Sequence, residues 1–238
     1  TDFKGSPYHG DSGPIPVWRT PESDWSPFQQ AFYSAALSLG FPTDPDINHP
    51  DTTGIGPRPL NSLNGIRMST ARTYLETARS RDNLTILSNR TVTRVLFKNN
   101  NAVGIELLHR GELTELYADI VVLCAGAVET PAVLCRSGVG SADTIKRLGI
   151  EHIADLPGVG LNLQNHPAVP VHVPVLIETN ERLRSAHLYL RYSSQANGER
   201  NDLSISPLVE EFGNGIPTVP FYSVLRKVVS TGLLRVVS

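Results

Sequence analysis

The chain has 238 residues, 40% of them hydrophobic and 18% charged, an ordinary globular composition that excludes a disordered or low-complexity protein. A formal net charge of −2, with only short arginine clusters at Arg79 to Arg81 and Arg182 to Arg184, gives no basic face for nucleic acid, and those arginines read as solvated surface. No run approaches the ~18 apolar residues of a membrane helix, no signal peptide is visible, and two cysteines are too few for a disulfide framework, so a cytoplasmic setting is expected.

Residues 1 to 21 are rich in glycine and proline and read as loop, with a short extended piece at Ile15 to Trp18. From Glu22 to Leu39, Trp25, Phe28, Phe32, Ala35, Ala36 and Leu39 recur at helical spacing, with Ser23 as N-cap and Gly40 as the stop. A proline-rich loop, Phe41 to Pro59, follows, and Ser69 caps a second helix running to about Arg79. From Leu84 the texture changes to short β-branched runs: Leu84 to Leu87, Val92 to Phe97, Ala102 to Leu108 and Leu113 to Tyr117. Turns at Lys98 to Asn101 and at Arg110-Gly111 predict antiparallel pairing.

The run Asp119-Ile-Val-Val-Leu-Cys-Ala-Gly126 is apolar without alternation, which suits a strand covered on both faces of a parallel sheet, with Cys124 as a small buried hydrophobe. It ends in Ala125, Gly126 and Ala127, and a helix is expected over Glu129 to Arg136 with Pro131 in its first turn and Gly138 past its end. Small residues at the carboxyl end of such a strand admit close approach of a ligand, or equally close packing of strand against helix. Further strands are predicted at 167 to 176, Ala186 to Tyr192, Asp202 to Val209, Val219 to Leu225 and Leu233 to Val237.

The segment Gly126-Ala-Val-Glu-Thr130-Pro131-Ala-Val-Leu-Cys-Arg-Ser137-Gly138-Val-Gly140 resembles the second signature of the glucose-methanol-choline (GMC) oxidoreductases and meets each of its fixed positions. Downstream, Pro157-Gly-Val-Gly160-Leu-Asn162-Leu-Gln-Asn165-His166 resembles another family block, with Asn165 where aspartate is usual, so a charge is lost there. Asn83 to Leu87 with Val92 and Val95, His9-Gly10 to Gly13-Pro14, and Arg67 to Leu75 are similar to further blocks, in family order. Several ordered blocks are far more specific than one motif.

The resemblance, choline dehydrogenase-like in detail, implies a mixed α/β and α+β architecture. A partial FAD-binding three-layer domain, 81–165, is interleaved with an antiparallel-sheet substrate domain, 1–80 and 166–238. It implies FAD as cofactor, with the backbone of Val92 against the adenine and Ala125 and Gly126 as the close backbone approach to the flavin nucleotide. It implies oxidation of the CH–OH group of a small-molecule alcohol by hydride transfer to flavin N5, with the electron acceptor open. The family's Gly-x-Gly-x-x-Gly pyrophosphate turn and its catalytic histidine segment find no counterpart in these residues: the Gly-x-Gly triplets at Gly54, Gly138 and Gly158 lack the third glycine, and catalysis is assigned to none of the seven histidines. His9 and His49 have no carboxylate at useful spacing, His166 reads as a structural residue at the domain join, Ser137 as helix termination, and no metal-ligand spacing occurs. Two rivals stand beside this reading: a hydroxynitrile lyase on the same fold, and a non-catalytic, flavin-free binding module.

Overall fold

The first long helix begins where the sequence offers a complete cap. Ser26 accepts a hydrogen bond from the backbone of Gln29, Gln29 returns one to Ser26, and Pro27 occupies the first helical position. The start therefore lies later than the Glu22–Ser23 predicted from periodicity, because Glu22–Asp24 forms a separate 3-10 turn. This computed structural model describes residues 7–174, 187–194, 198–207 and 218–237. Arg182 to Arg184 and the predicted strand ends at Val175–Leu176, Ala186 and Leu208–Val209 lie outside the described residues.

In chain order the elements are α1 (Pro27–Ser38), β1 (Gly54–Pro57), β2 (Ser62–Leu63), β3 (Ile66–Arg67), a π-helical turn Ala71–Leu75 running into α2 (Glu76–Ala78), β4 (Thr91–Lys98), β5 (Asn101–His109) and β6 (Glu112–Tyr117). They continue with α3 (Gly126–Arg136), β7 (Val139–Gly140), α4 (Ala142–Arg147), β8 (Ala154–Asp155), β9 (Leu161–Leu163), β10 (Ala168–Pro174), β11 (Leu188–Tyr192), β12 (Leu203–Pro207), β13 (Thr218–Leu225) and β14 (Gly232–Leu233). Two compact units result: 1–84 with 166–228, and 85–165 with 229–238. The last ten residues go with the second unit, apart from the rest of 166–238, because Gly232 and Leu233 pair with Leu163 and Leu161.

Unit 1 is built on a five-stranded antiparallel sheet ordered β1-β11-β12-β13-β10. Register places Ile55, Leu190 and Ile205 in one row, and strand alternation puts that row on a single face. There Ala36 of α1 packs on Ile55 and Leu190, flanked by Phe32, Tyr33, Phe41 and Tyr192, and Phe28 and Phe32 meet Phe221 at ring-centroid distances of 5.4 and 5.3 Å. Alternation thus leaves Tyr189, Arg191 and Ser204 on the opposite face.

Unit 2 contains the predicted antiparallel meander β4-β5-β6. Both hairpin turns take two consecutive residues with positive φ, Asn99 and Asn100 at 49° and 63° and Arg110 and Gly111 at 51° and 87°, which matches the twist of the strands they join. Leu84 to Leu87, expected as a strand, is irregular.

The expected buried parallel strand over 119–126 is not formed. Residues 119–124 have no ladder partner among the described residues, so Ile120 and Val122 stand 79% and 76% exposed and Cys124 is exposed rather than buried. A strand exists only through its ladder, and the apolar composition that suits a doubly covered strand cannot create one alone. Parallel pairing among the described residues is limited to β7 with β8 and an isolated bridge between Thr43 and Ile55. Helix α3 starts at Gly126, three residues before the prediction, which moves Pro131 beyond the first turn. Helix α4, capped by Ser141, was not among the predicted elements, although Ser141-Ala-Asp-Thr144 is a capping signal.

Candidate functional site

The amino end of α3 is open. Gly126 has φ +86° with nothing within 4 Å of the position a Cβ would take, Ala125 at the N-cap supplies no side-chain cap bond, and both residues are exposed. The first turn therefore presents backbone N–H donors, and Ile120 and Val122 upstream of it in the chain and Val128 within it are all exposed. A dinucleotide cofactor, which offers phosphate oxygens and flat rings, fits such a surface. Glu129 in the same turn is drawn toward Arg136, 3.9 Å away.

Val92 lies half-buried on β4, the edge strand of the meander, next to a bulge at Thr93. The Thr93 hydroxyl bonds Glu106 Oε1 at 2.6 Å, and Arg94 bonds Glu106 Oε2 at 2.9 Å. These two hydrogen bonds lower the Glu106 pKa against the opposing effect of burial. No hydrogen bond joins Val92 to Ala125 or Gly126 among the described residues. Instead the structure ties Val92's strand to the other end of α3. Arg136 Nε donates to Thr93 O at 2.8 Å, and Ser137 Oγ accepts from Val95 N at 2.8 Å while donating to Val133 O at 2.6 Å. Ser137 thus ends the helix, as predicted, and also fills the open edge of β4, a role that no spacing in the sequence announces. Gly138 follows with φ +82°, and a Cβ there would lie 2.2 Å from Glu151 O, so only glycine fits. Beside this junction a groove of about 400 Å³ is lined by Arg94, Phe97, Tyr117, Arg136, Ile150 and Ile153, among others.

In unit 1 His9 meets a carboxylate that its sequence spacing does not reveal. His9 Nε2 and Asp46 Oδ2 are 2.6 Å apart, Arg19 Nη2 donates to Asp46 Oδ1 at 3.0 Å, and all three side chains are buried. The carboxylate lies 37 residues away, beyond the reach of any local spacing rule. Burial acts to raise the Asp46 pKa, yet the His9 hydrogen bond, the Asn48 N–H and the His9 and Arg19 charges together hold it below the ordinary 3.8. Asp44, fully buried, receives Arg191 Nε at 2.8 Å, and His187 is hydrogen-bonded to Thr20. His166, the first residue of the second stretch of unit 1, bonds Leu225 O through Nδ1 at 3.0 Å. Two pockets, of about 380 and 640 Å³, adjoin at Arg58 and Pro59.

Residues 8–168 match the profile of the GMC oxidoreductase family, and the chain belongs to that family. Members of the family are enzymes that use FAD. Among its relatives is a GMC-type oxidoreductase of Rhodococcus erythropolis, 39% identical over 219 residues, a match that covers 92% of this chain and 43% of that protein. An oxygen-dependent choline dehydrogenase of Acinetobacter baumannii is 40% identical over 170 residues, covering 69% of this chain and 31% of its own length. The crystal structure of pyridoxine 4-oxidase from Mesorbium loti superposes with a TM-score of 0.84 at 29% identity, over 96% of this chain and 47% of that one. The formate oxidase of Aspergillus oryzae, at 19% identity and a TM-score of 0.81, shares the fold. The chain spans less than half the length of the first three. No helix among the described residues is long and apolar enough to cross a membrane.

Proposed function

We propose that this chain is the central part of an FAD-dependent oxidoreductase acting on the CH–OH group of an alcohol. Unit 2 holds part of the flavin nucleotide and unit 1 part of the substrate. The observation that carries this reading is the open start of α3. Ala125 and Gly126 lie in the family signature, Gly126 has the positive φ that lets a backbone approach a ligand closely, and no side chain caps the turn. The FAD, when bound, supplies the hydride acceptor.

The residues of this chain then position it. The main chain of Ala125 and Gly126 gives the close approach, and its N–H donors face the nucleotide. Val92 presents backbone on an edge strand to the adenine, with β4 held in place by Arg136 and Ser137. Residues 119–124 act as a strand whose neighbours are other parts of the whole enzyme, and this pairing covers Ile120 and Val122. The base is assigned to no histidine of this chain, because the family resemblance implies a base from another segment; His9 is bound to Asp46, and His166 to Leu225 O.

The experiment is anaerobic mixing of the full-length protein with a panel of primary and secondary alcohols, followed in the visible spectrum. Bleaching of the flavin bands by at least one alcohol is expected. A flavin that no alcohol bleaches, in a protein that releases aldehyde from a cyanohydrin, would turn the assignment to the lyase.

A further inference from the structure

The face of the unit 1 sheet opposite α1 carries a cationic pocket that the flavin reading leaves unused. Tyr189, on β11, has two guanidinium groups over its ring, with the Cζ of Arg226 5.1 Å and that of Arg58 6.0 Å from the centroid. Together with Arg191, Asn48 and Asn201 they line the pocket of about 380 Å³, whose wall includes no aspartate or glutamate among the described residues. One of the three arginines is compensated: Arg191 is paired with Asp44 at 2.8 Å and donates to His49 O at 3.0 Å. The other two are not. Arg226 Nε donates to the neutral Ser204 hydroxyl at 2.8 Å, and Arg58 spends its backbone N–H on His187 O, while neither guanidinium meets a carboxylate among the described residues.

Two like charges gathered at one ring repel each other unless an anion lies with them, and a guanidinium fork matches the oxygens of carboxylate and phosphate. A second observation lies in the adjoining cavity of about 640 Å³, which shares Arg58 and Pro59 and is lined further by Trp18, Leu60 and Ser62. Ser62, in that wall, has a buried hydroxyl with no hydrogen-bond partner among the described residues.

We infer that unit 1 binds a small molecule bearing a carboxylate or phosphate. Its anionic group lies between Arg58 and Arg226 beside Tyr189, and its remainder reaches the cavity of Trp18, Leu60 and Ser62. On the oxidoreductase reading, on which this last step rests, that molecule is the alcohol substrate, so the substrate class is a hydroxy acid or a phosphorylated alcohol. A quaternary ammonium such as choline meets two like charges here, and the aromatic ring that could attract it is already covered by guanidinium groups.

The test is calorimetric titration of the full-length protein at low ionic strength with glycolate, glycerol 3-phosphate, glycerol and choline. Flavin content is measured separately from the visible spectrum. At least one of the two anionic alcohols should bind, which distinguishes carboxylate from phosphate, and its Kd should rise at least tenfold in Arg58→Gln and in Arg226→Gln. Arg58→Lys should recover part of the loss. Arg58→Gln keeps the backbone bond to His187, so its melting temperature should stay close to that of the parent and report on folding. Absence of binding by both anions, unchanged affinity in the two glutamine variants, or equal affinity for choline would each overturn the site. Anion binding by a protein that carries no flavin upholds the site and overturns only its assignment to an alcohol substrate.

Discussion

Asp46 is the centre of a buried ionic set in unit 1, with His9 and Arg19 both bound to its carboxylate. Removing one member of a buried ionic set strands the others, so Asp46→Ala should destabilise unit 1 by about 3–5 kcal/mol, measured by urea unfolding at neutral pH. Folding lowers the pKa of this carboxylate, so the unfolded chain takes up the proton first as pH falls. Its stabilisation is present in full above the unfolded value and fades as pH drops through the lower folded one. The gap in melting temperature between parent and Asp46→Ala should accordingly be widest near neutrality and shrink below about pH 4. Gly138 offers a second residue-scale prediction. Alanine there meets both the positive φ and the Glu151 carbonyl, and a loss of ~2 kcal/mol or more is expected in unit 2 unfolding. The two cysteines also differ in environment: Cys124 is exposed, whereas burial raises the Cys135 thiol pKa, so a thiol reagent should label Cys135 only on unfolding.

At the scale of elements, what the sequence made legible was whatever local chemistry decides. The meander β4-β5-β6 follows from β-branched runs broken by Asn99-Asn100 and Arg110-Gly111, and α1 follows from its aromatic and alanine periodicity. The start of α1 was misplaced because apolar spacing extends upstream of the true cap, although Ser26-Pro-Phe-Gln29 spells the capping box. The 119–124 run shows the opposite failure. Its composition fits a parallel strand well, but pairing partners are not written in the strand itself. Ser137 lies between these cases, being legible as a helix end but not as the partner of Val95. Ser137→Ala should leave the Val95 N–H buried without an acceptor, at a cost of about 1–3 kcal/mol, with faster amide exchange at Val95 as the direct readout. The Asp44 and Asp46 constellations were illegible because their members meet across 27 to 147 residues of chain.

For the whole molecule, the family blocks identified the lineage and much of the architecture from sequence, because each block is a short local constraint and their order adds specificity. Which side chains of the unit 1 sheet share a face was not legible in the same way, since that depends on strand register. The exposed apolar residues Ile120, Val122 and Val128, and the valines of β10, give this chain by itself a surface prone to association. Expressed without further sequence, it should elute from a sizing column as aggregate. The most direct test of the flavin assignment is the ratio of flavin to polypeptide in the protein purified from its native source, taken from the visible spectrum and intact mass together. One flavin per chain, in a polypeptide longer than these 238 residues, is the expected result. A colourless protein that takes up no added FAD would contradict it.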